Sequence, residues 1–209
     1  MIKSQKGIES MKDVEKYKGI FERYNGMMRT NQLENEKIFY RTVQELIKEG
    51  YVEKIRYGYY QWIDPEDFSE VSTICRLFPD AILCMETALR YYGYSERTPG
   101  KWHLAVSKDS GKSRFKLDYP FVKPYYVEPS LLEIGMITGK IDEYPVRIYD
   151  KDRVICDCLR YRNKMDKEIF NKAIQSYIKD PGKSIPRLME YAEMLRVKKV
   201  VKDLIGVWL

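Results

Sequence analysis

The chain has 209 residues and only one histidine, His103. Its four cysteines, Cys75, Cys84, Cys156 and Cys158, sit inside apolar stretches without the paired spacing of a zinc site. A zinc finger is therefore excluded. No apolar run approaches the ~20 residues that cross a bilayer, which argues against a membrane partner. The opening stretch, MIKSQKGIESMKDVEKYKG, lacks the apolar core of an export signal, so a cytoplasmic protein with reduced thiols is expected. Internal repeats and low-complexity tracts are also missing, which removes the solenoid and fibrous classes.

What remains is a globular composition, 44% hydrophobic and 33% charged. The net charge of +6 is unevenly spread. Residues 1–63 carry 12 Lys/Arg against 9 Asp/Glu, residues 64–96 carry 2 against 7, and residues 97–123 carry 7 against 2. Two basic zones flank an acidic one. That distribution suits a protein that meets a polyanion along more than one surface.

Apolar spacing predicts a helix from Val14 to Tyr24, broken by Asn25-Gly26. A short helix through Leu33 and Glu34 follows, with Thr30 or Asn31 as its cap. A third helix is expected from Phe39 to Lys48, ending at Gly50. Its inner face is read as Phe39, Val43, Leu46 and Ile47; Arg41, Gln44, Glu45 and Lys48 point away. Residues 51–63, rich in Val, Ile, Tyr and Trp around Gly58, read as a β-hairpin with Val52, Ile55, Tyr60 and Trp62 in the core. The acidic stretch after Ile63 opens with the turn former Asp64-Pro65 and marks a boundary.

Beyond it, a helix is expected over Asp80–Tyr92. KWHLAVSK, RFKLDYPFVKPYYV and YPVRIYD are strand-like, and KDSGKSRFK between the first two is a basic hairpin loop. Helices are expected at KDRVICDCLRYRNKM and DKEIFNKAIQSYIKD, and one long amphipathic helix from Ile185 to Trp208.

The order helix, helix, helix, hairpin is that of a winged helix-turn-helix. There the third helix enters the DNA major groove and the hairpin touches the backbone or minor groove. The side chains suited to this are Lys37, Tyr40, Arg41, Gln44 and Lys48, with Lys54, Arg56 and Tyr57 near the hairpin tip. Arg grips guanine and Gln pairs with adenine, while Lys and Tyr reach phosphates. Lys112, Arg114 and Lys116 form a second basic group that can meet phosphates. Gly111-Lys112-Ser113 is not a phosphate-binding loop, because the glycine such a loop needs five residues earlier is Val106. Asp118, Glu128 and Glu133 lack the spacing of a nuclease metal cluster. His103 has no nucleophile partner, and Cys156 and Cys158 read as packing.

GMMRTNQLENEKIFYRTVQELIKEGYVEKIRYGYYQW resembles the N-terminal winged helix of AbiEi-type antitoxins, including Leu46-Ile47-Lys48-Glu49-Gly50 and then Arg56-Tyr57-Gly58-Tyr59-Tyr60. FPDAILCMETALRYYGY is similar to that family's helix after the linker. YPVRIYDKDRVICDCLRYRNK is similar to its strand and following helix through Asp150, Asp152, Arg153, Asp157, Arg160 and Arg162. The resemblance spans residues 14–180. Where the family often caps the third helix with Ser or Thr, this chain has Phe39.

The resemblance implies an autorepressor that binds inverted repeats in its own promoter. It also implies an antitoxin of a type IV toxin–antitoxin, abortive-infection system, countering a nucleotidyltransferase toxin with or without direct binding. Its C-terminal domain would take part in antagonism and in DNA contact. The expectation is thus α+β: a winged helix-turn-helix at 1–63, a linker at 64–70, and a mixed α/β antitoxin domain at 71–209 ending in a long amphipathic helix. No enzyme activity, metal or cofactor is expected. The partner is double-stranded DNA, read by a monomer or dimer. Two other classes fit the same residues: a protein-interaction adaptor built on a winged helix, and a nucleic-acid-processing enzyme.

Overall fold

The computed structural model describes residues 11–63, 69–117 and 119–206. Most of the acidic linker expected at 64–70 lies outside the described residues, as do Asp118 and Trp208. The fold is mixed α+β with two sheets. The chain divides into two compact units: one runs to Glu70 and takes in Lys116–Tyr119, the other is Val71–Phe115 with Pro120–Leu209.

The first unit begins with α1 (Met11–Arg23), β1 (Met27–Arg29), α2 (Thr30–Asn35) and α3 (Tyr40–Lys48), then β2 (Val52–Arg56) and β3 (Tyr59–Trp62). Asn25 and Gly26 turn the chain in the left-handed region (φ 55° and 76°). The expected two-stranded hairpin is in fact part of a three-stranded antiparallel sheet in the order β1-β3-β2. The cap of α2 is neither Thr30 nor Asn31 but Arg29, whose backbone N–H donates to Gln32 Oε1 at 2.7 Å. That is half of a capping box. Helix α3 stops in a Schellman turn: Gly50 sits at φ 79°, Tyr51 N–H reaches the Leu46 carbonyl at 2.9 Å, and Gly50 N–H reaches Ile47 at 3.1 Å.

Ile20, Phe21, Met28, Leu33, Ile38, Val43, Leu46, Val52, Tyr60 and Trp62 form the core of this unit. Trp62 packs 5.6 Å from the Phe21 ring and 5.8 Å from Tyr51. Phe39 departs from expectation: it is 51% exposed and stands outside this core, whereas Ile38 is buried.

The second unit holds α4 (Glu70–Leu77), β4 (Ile82–Leu83), α5 (Met85–Tyr91), β5 (Trp102–Ser107), β6 (Val122–Val127) and α6 (Pro129–Leu132). It continues with β7 (Met136–Ile141), β8 (Tyr144–Tyr149), α7 (Lys151–Tyr161), α8 (Lys167–Lys179), α9 (Ile185–Met194) and α10 (Lys198–Leu204). Its sheet runs β6-β5-β4-β8-β7. Several expectations change here. The helix read over Asp80–Tyr92 is strand β4 followed by α5. Strands β5 and β6 are parallel, so Lys108–Lys116 cannot be a hairpin loop and holds a 3-10 turn (Lys112–Phe115) instead. Pro124 sits in β6, an edge strand, where its missing donor is tolerated.

The expected long terminal helix is two helices. Arg196 adopts φ 58°, and Val197 N–H closes onto the Ala192 carbonyl at 2.8 Å, a second Schellman turn between α9 and α10. Helix α7 is buried on every side from Asp152 to Leu159 and packs against α5, α8, α9 and α10. Among the described residues no helix is long and apolar enough to cross a membrane.

Candidate nucleic-acid interface

Helix α3 separates its side chains cleanly. Val43 and Leu46 are buried, while Tyr40, Arg41, Gln44 and Lys48 are exposed. Positions three and four apart share one helix face, so Arg41, Gln44 and Lys48 form one stripe, with Tyr40 one turn before Gln44. Arg41 Nε donates to Glu45 Oε1 at 3.1 Å. This bond uses only the inner nitrogen of the guanidinium. Lys37 is exposed in the turn between α2 and α3, in the left-handed region at φ 59°.

The start of α3 is built in an unusual way. Ile38 at N′ and Val43 at N4 are both buried, the arrangement of a hydrophobic staple. Phe39, between Ile38 and the first helical residue, is extended (φ −82°, ψ 163°) and makes no side-chain cap bond. Its carbonyl accepts from Val43 N–H at 3.1 Å. The first amides of α3 thus receive nothing from the cap side chain.

The hairpin turns at Tyr57-Gly58, with Gly58 at φ 76°. Tyr57 is 93% exposed. The ladder slips at Ile55, so that Lys54 faces Tyr60 and Arg56 faces Tyr59. Such a bulge tightens the twist. Arg56 lies over the Tyr59 ring at 3.9 Å, and Lys54 over Tyr57 at 5.6 Å. Stacking of this kind holds a cation in place over the ring. Arg29 also approaches the Tyr59 ring, at 5.3 Å, and is exposed. Arg29 is not legible as a candidate in the sequence, because Tyr59 comes to it only through pairing of β1 with β3.

The structure thus gathers Lys37, Tyr40, Arg41, Gln44, Lys48, Lys54, Arg56 and Tyr57 in the first unit. Lys112 and Arg114 belong to the second unit, whereas exposed Lys116 groups with the first. Arg114 does not stand open to phosphate. Its Nη1 donates to Asp80 Oδ2 at 2.8 Å, its Nη2 binds the other carboxylate oxygen, and Phe78 and Phe115 lie at 5.4 and 5.3 Å. The guanidinium holds the Asp80 carboxyl below its usual range. Lys112 remains exposed.

Two of the three carboxylates considered for a metal cluster are engaged in ion pairs, while Asp118 lies outside the described residues. Glu128 pairs with Lys108 at 2.6 Å and Glu133 with Arg147. His103 is buried; its Nδ1 lies 3.3 Å from Tyr125 Oη and 3.4 Å from the Glu86 amide. Burial, aided by Lys123 and Lys101, pushes its pKa down to about 3. Burial pushes the Cys84 and Cys158 thiols well up. Among the described residues no group of three or more His, Cys, Asp or Glu is placed to hold a metal ion.

The stretch from Asp150 is an internal lock. Asp150 caps α7 by accepting from Arg153 N–H at 2.8 Å and takes the Tyr191 hydroxyl at 3.0 Å. Asp152 accepts from Tyr177 Oη at 2.8 Å and Ser184 N–H at 3.0 Å. Arg153, wholly buried, donates to Asp157 at 3.1 Å and to the carbonyls of Leu131 and Ile134 at 2.9 and 2.6 Å. Arg160 is exposed and Arg162 half-buried. No family model matches the chain, and no curated protein matches it either.

Proposed function

We propose that the first unit is a winged helix-turn-helix and that the protein is a sequence-specific DNA-binding autorepressor. The observation that carries this reading is the exposed stripe of Tyr40, Arg41, Gln44 and Lys48 on α3, opposite a buried face, beside a hairpin whose tip projects Tyr57. In this reading α3 enters the major groove. Arg41 and Gln44 meet base edges, and Lys48, Lys37, Lys54 and Arg56 meet phosphates. Arg29 joins the phosphate ligands. Arg114 is left out, since Asp80 already fills its fork.

The antitoxin role, opposing a nucleotidyltransferase toxin in a type IV abortive-infection system, rests on the sequence resemblance to AbiEi-type proteins. The chain acts without catalysis in this reading. Inverted repeats in the promoter call for two protomers or two DNA-binding surfaces.

The test is a mobility shift against the chain's own upstream DNA across a salt series. Affinity should fall steeply with salt, with a log–log slope of about −0.9 per neutralised phosphate. Arg41→Ala and Gln44→Ala should each cost about 1–3 kcal/mol and relax the preference at one base pair. Lys54→Ala should instead weaken all sequences alike and flatten the salt slope. If α3 substitutions leave promoter binding unchanged, the reading fails. A protein adaptor would give that outcome.

A further inference from the structure

We infer that Phe39 is a specificity-determining contact that reads the C5 methyl group of a thymine at the leading edge of α3. This rests on the assignment of α3 as the reading helix.

Neither a cap bond nor a place in the core of this unit accounts for Phe39. An N-cap position favours Ser, Thr, Asp or Asn, whose side chains bond the first helical amides; phenylalanine cannot do so. Nor does the ring serve the core. It is 51% exposed, and the apolar anchor of this helix start is the buried Ile38, paired with Val43. The residue gives up a capping bond and leaves half of a large apolar side chain in water.

Its position gives the ring a use. Phe39 directly precedes Tyr40 and Arg41, and the N-terminal residues of a reading helix are those that reach base edges. In the major groove the one apolar feature is the thymine methyl, and Phe is among the side chains that contact it. Lys37 and Arg41 flank Phe39 in sequence with positive charge, and in the proposed reading they meet a phosphate and a base edge. The ring itself can offer only apolar contact. The pairing is therefore selective: it distinguishes thymine from cytosine by the methyl, and thymine from uracil by nothing else.

The experiment uses the full chain and its own upstream DNA. Footprinting first locates the bound site. Each thymine in the site is then replaced singly by deoxyuridine, which removes the methyl alone. Wild-type protein should bind roughly four-fold more weakly at one thymine per half-site, the effect of one methyl group returned to water. Phe39→Ala should show no difference between thymine and uracil at that position. Phe39→Ser should lose the discrimination in the same way while raising the midpoint of thermal unfolding, because serine caps α3. Absence of any sensitive thymine in wild type overturns the inference, and so does discrimination that persists in Phe39→Ala. A fall in the thermal midpoint of Phe39→Ser overturns the claim that the fold does not use the ring. Failure of wild type to bind the unsubstituted DNA is a different result: it refutes the reading of α3 as a DNA helix.

Discussion

Arg153→Met should unfold the second unit at much lower denaturant. The guanidinium has no exposed surface. Its Nε bonds Asp157 at 3.1 Å, its Nη1 bonds two carbonyls, its Nη2 lies 3.4 Å from Tyr149 Oη, and its Cζ sits 4.2 Å from the Tyr149 ring centre. Methionine keeps much of the volume and none of the donors. Asp157, 5% exposed, is then a buried charge without its cation. Breaking a buried pair in this way costs about 3–5 kcal/mol. With a denaturant slope of about 1–3 kcal/mol per molar urea, the midpoint should fall by about 2 M. Far-UV circular dichroism through a urea titration measures it.

The companion variant, Arg153→Met with Asp157→Leu, removes the charge as well and should recover part of the loss. What remains is the cost of the orphaned Leu131 and Ile134 carbonyls, about 1–3 kcal/mol each if water does not reach them. The pH dependence has a definite sign. Burial pushes the Asp157 carboxyl up, and Arg153 is the charge that opposes the push. Without Arg153 the acid form is favoured further, so the single variant's deficit should shrink as pH falls from 7 towards 5. A single variant within 1 kcal/mol of wild type, or a double variant less stable than the single, would refute the ion-pair argument.

His103 should stay neutral on acidification until about pH 3, so its ring nitrogens, followed by NMR, should show no titration step between pH 8 and 5. Because an unfolded histidine takes a proton near pH 6.5 and this one does not, stability should fall as pH drops below about 6.5. A midpoint near 6.5 in the folded protein would contradict the buried environment. Two glycines give a matched comparison by urea unfolding. Both Gly50 and Gly135 have positive φ, but a Cβ at Gly50 meets open space, while one at Gly135 would lie 2.6 Å from Arg153 Cβ. Gly50→Ala should cost about 1 kcal/mol and Gly135→Ala more than about 2 kcal/mol; equal losses would show that strain alone matters.

The parts of the fold that were legible in the sequence are those fixed locally. The period of Val43 and Leu46, the stop at Gly50 and the strand formers around Gly58 each act within a few residues. They locate α3 and the hairpin without help from the rest of the chain. Strand β1 was not legible, since three residues carry no period and become a strand only by pairing with β3. The direction of β6 was hidden for a similar reason: a glycine-containing basic loop suits a hairpin, but strand order decides that β6 runs parallel to β5. The apolar period runs on past Leu195, and only the backbone at Arg196 reveals the break before α10. In the candidate interface, the sequence separates outward from inward residues on α3 except at Phe39, where the staple formed by Ile38 makes the ring redundant to the core. Arg114 looked available because Asp80, its partner, is distant in sequence.

Strand β1 has a mechanical consequence. It ends where α2 begins, and Thr30 N–H is tied to the Gly58 carbonyl at 3.0 Å. This bond extends the β1–β3 ladder by one rung, so the start of α2 and the hairpin turn are tied together directly. In the proposed reading, Tyr57 and the outward stripe of α3 are two prongs that stand on this one hydrogen-bonded frame. DNA spanning both prongs would then have mainly side chains to order, at about 0.5–1.5 kcal/mol each. Because Gly58 carries both the turn and the bond to Thr30, residues inserted between Tyr57 and Gly58 would disturb the root of that prong as well as lengthen it.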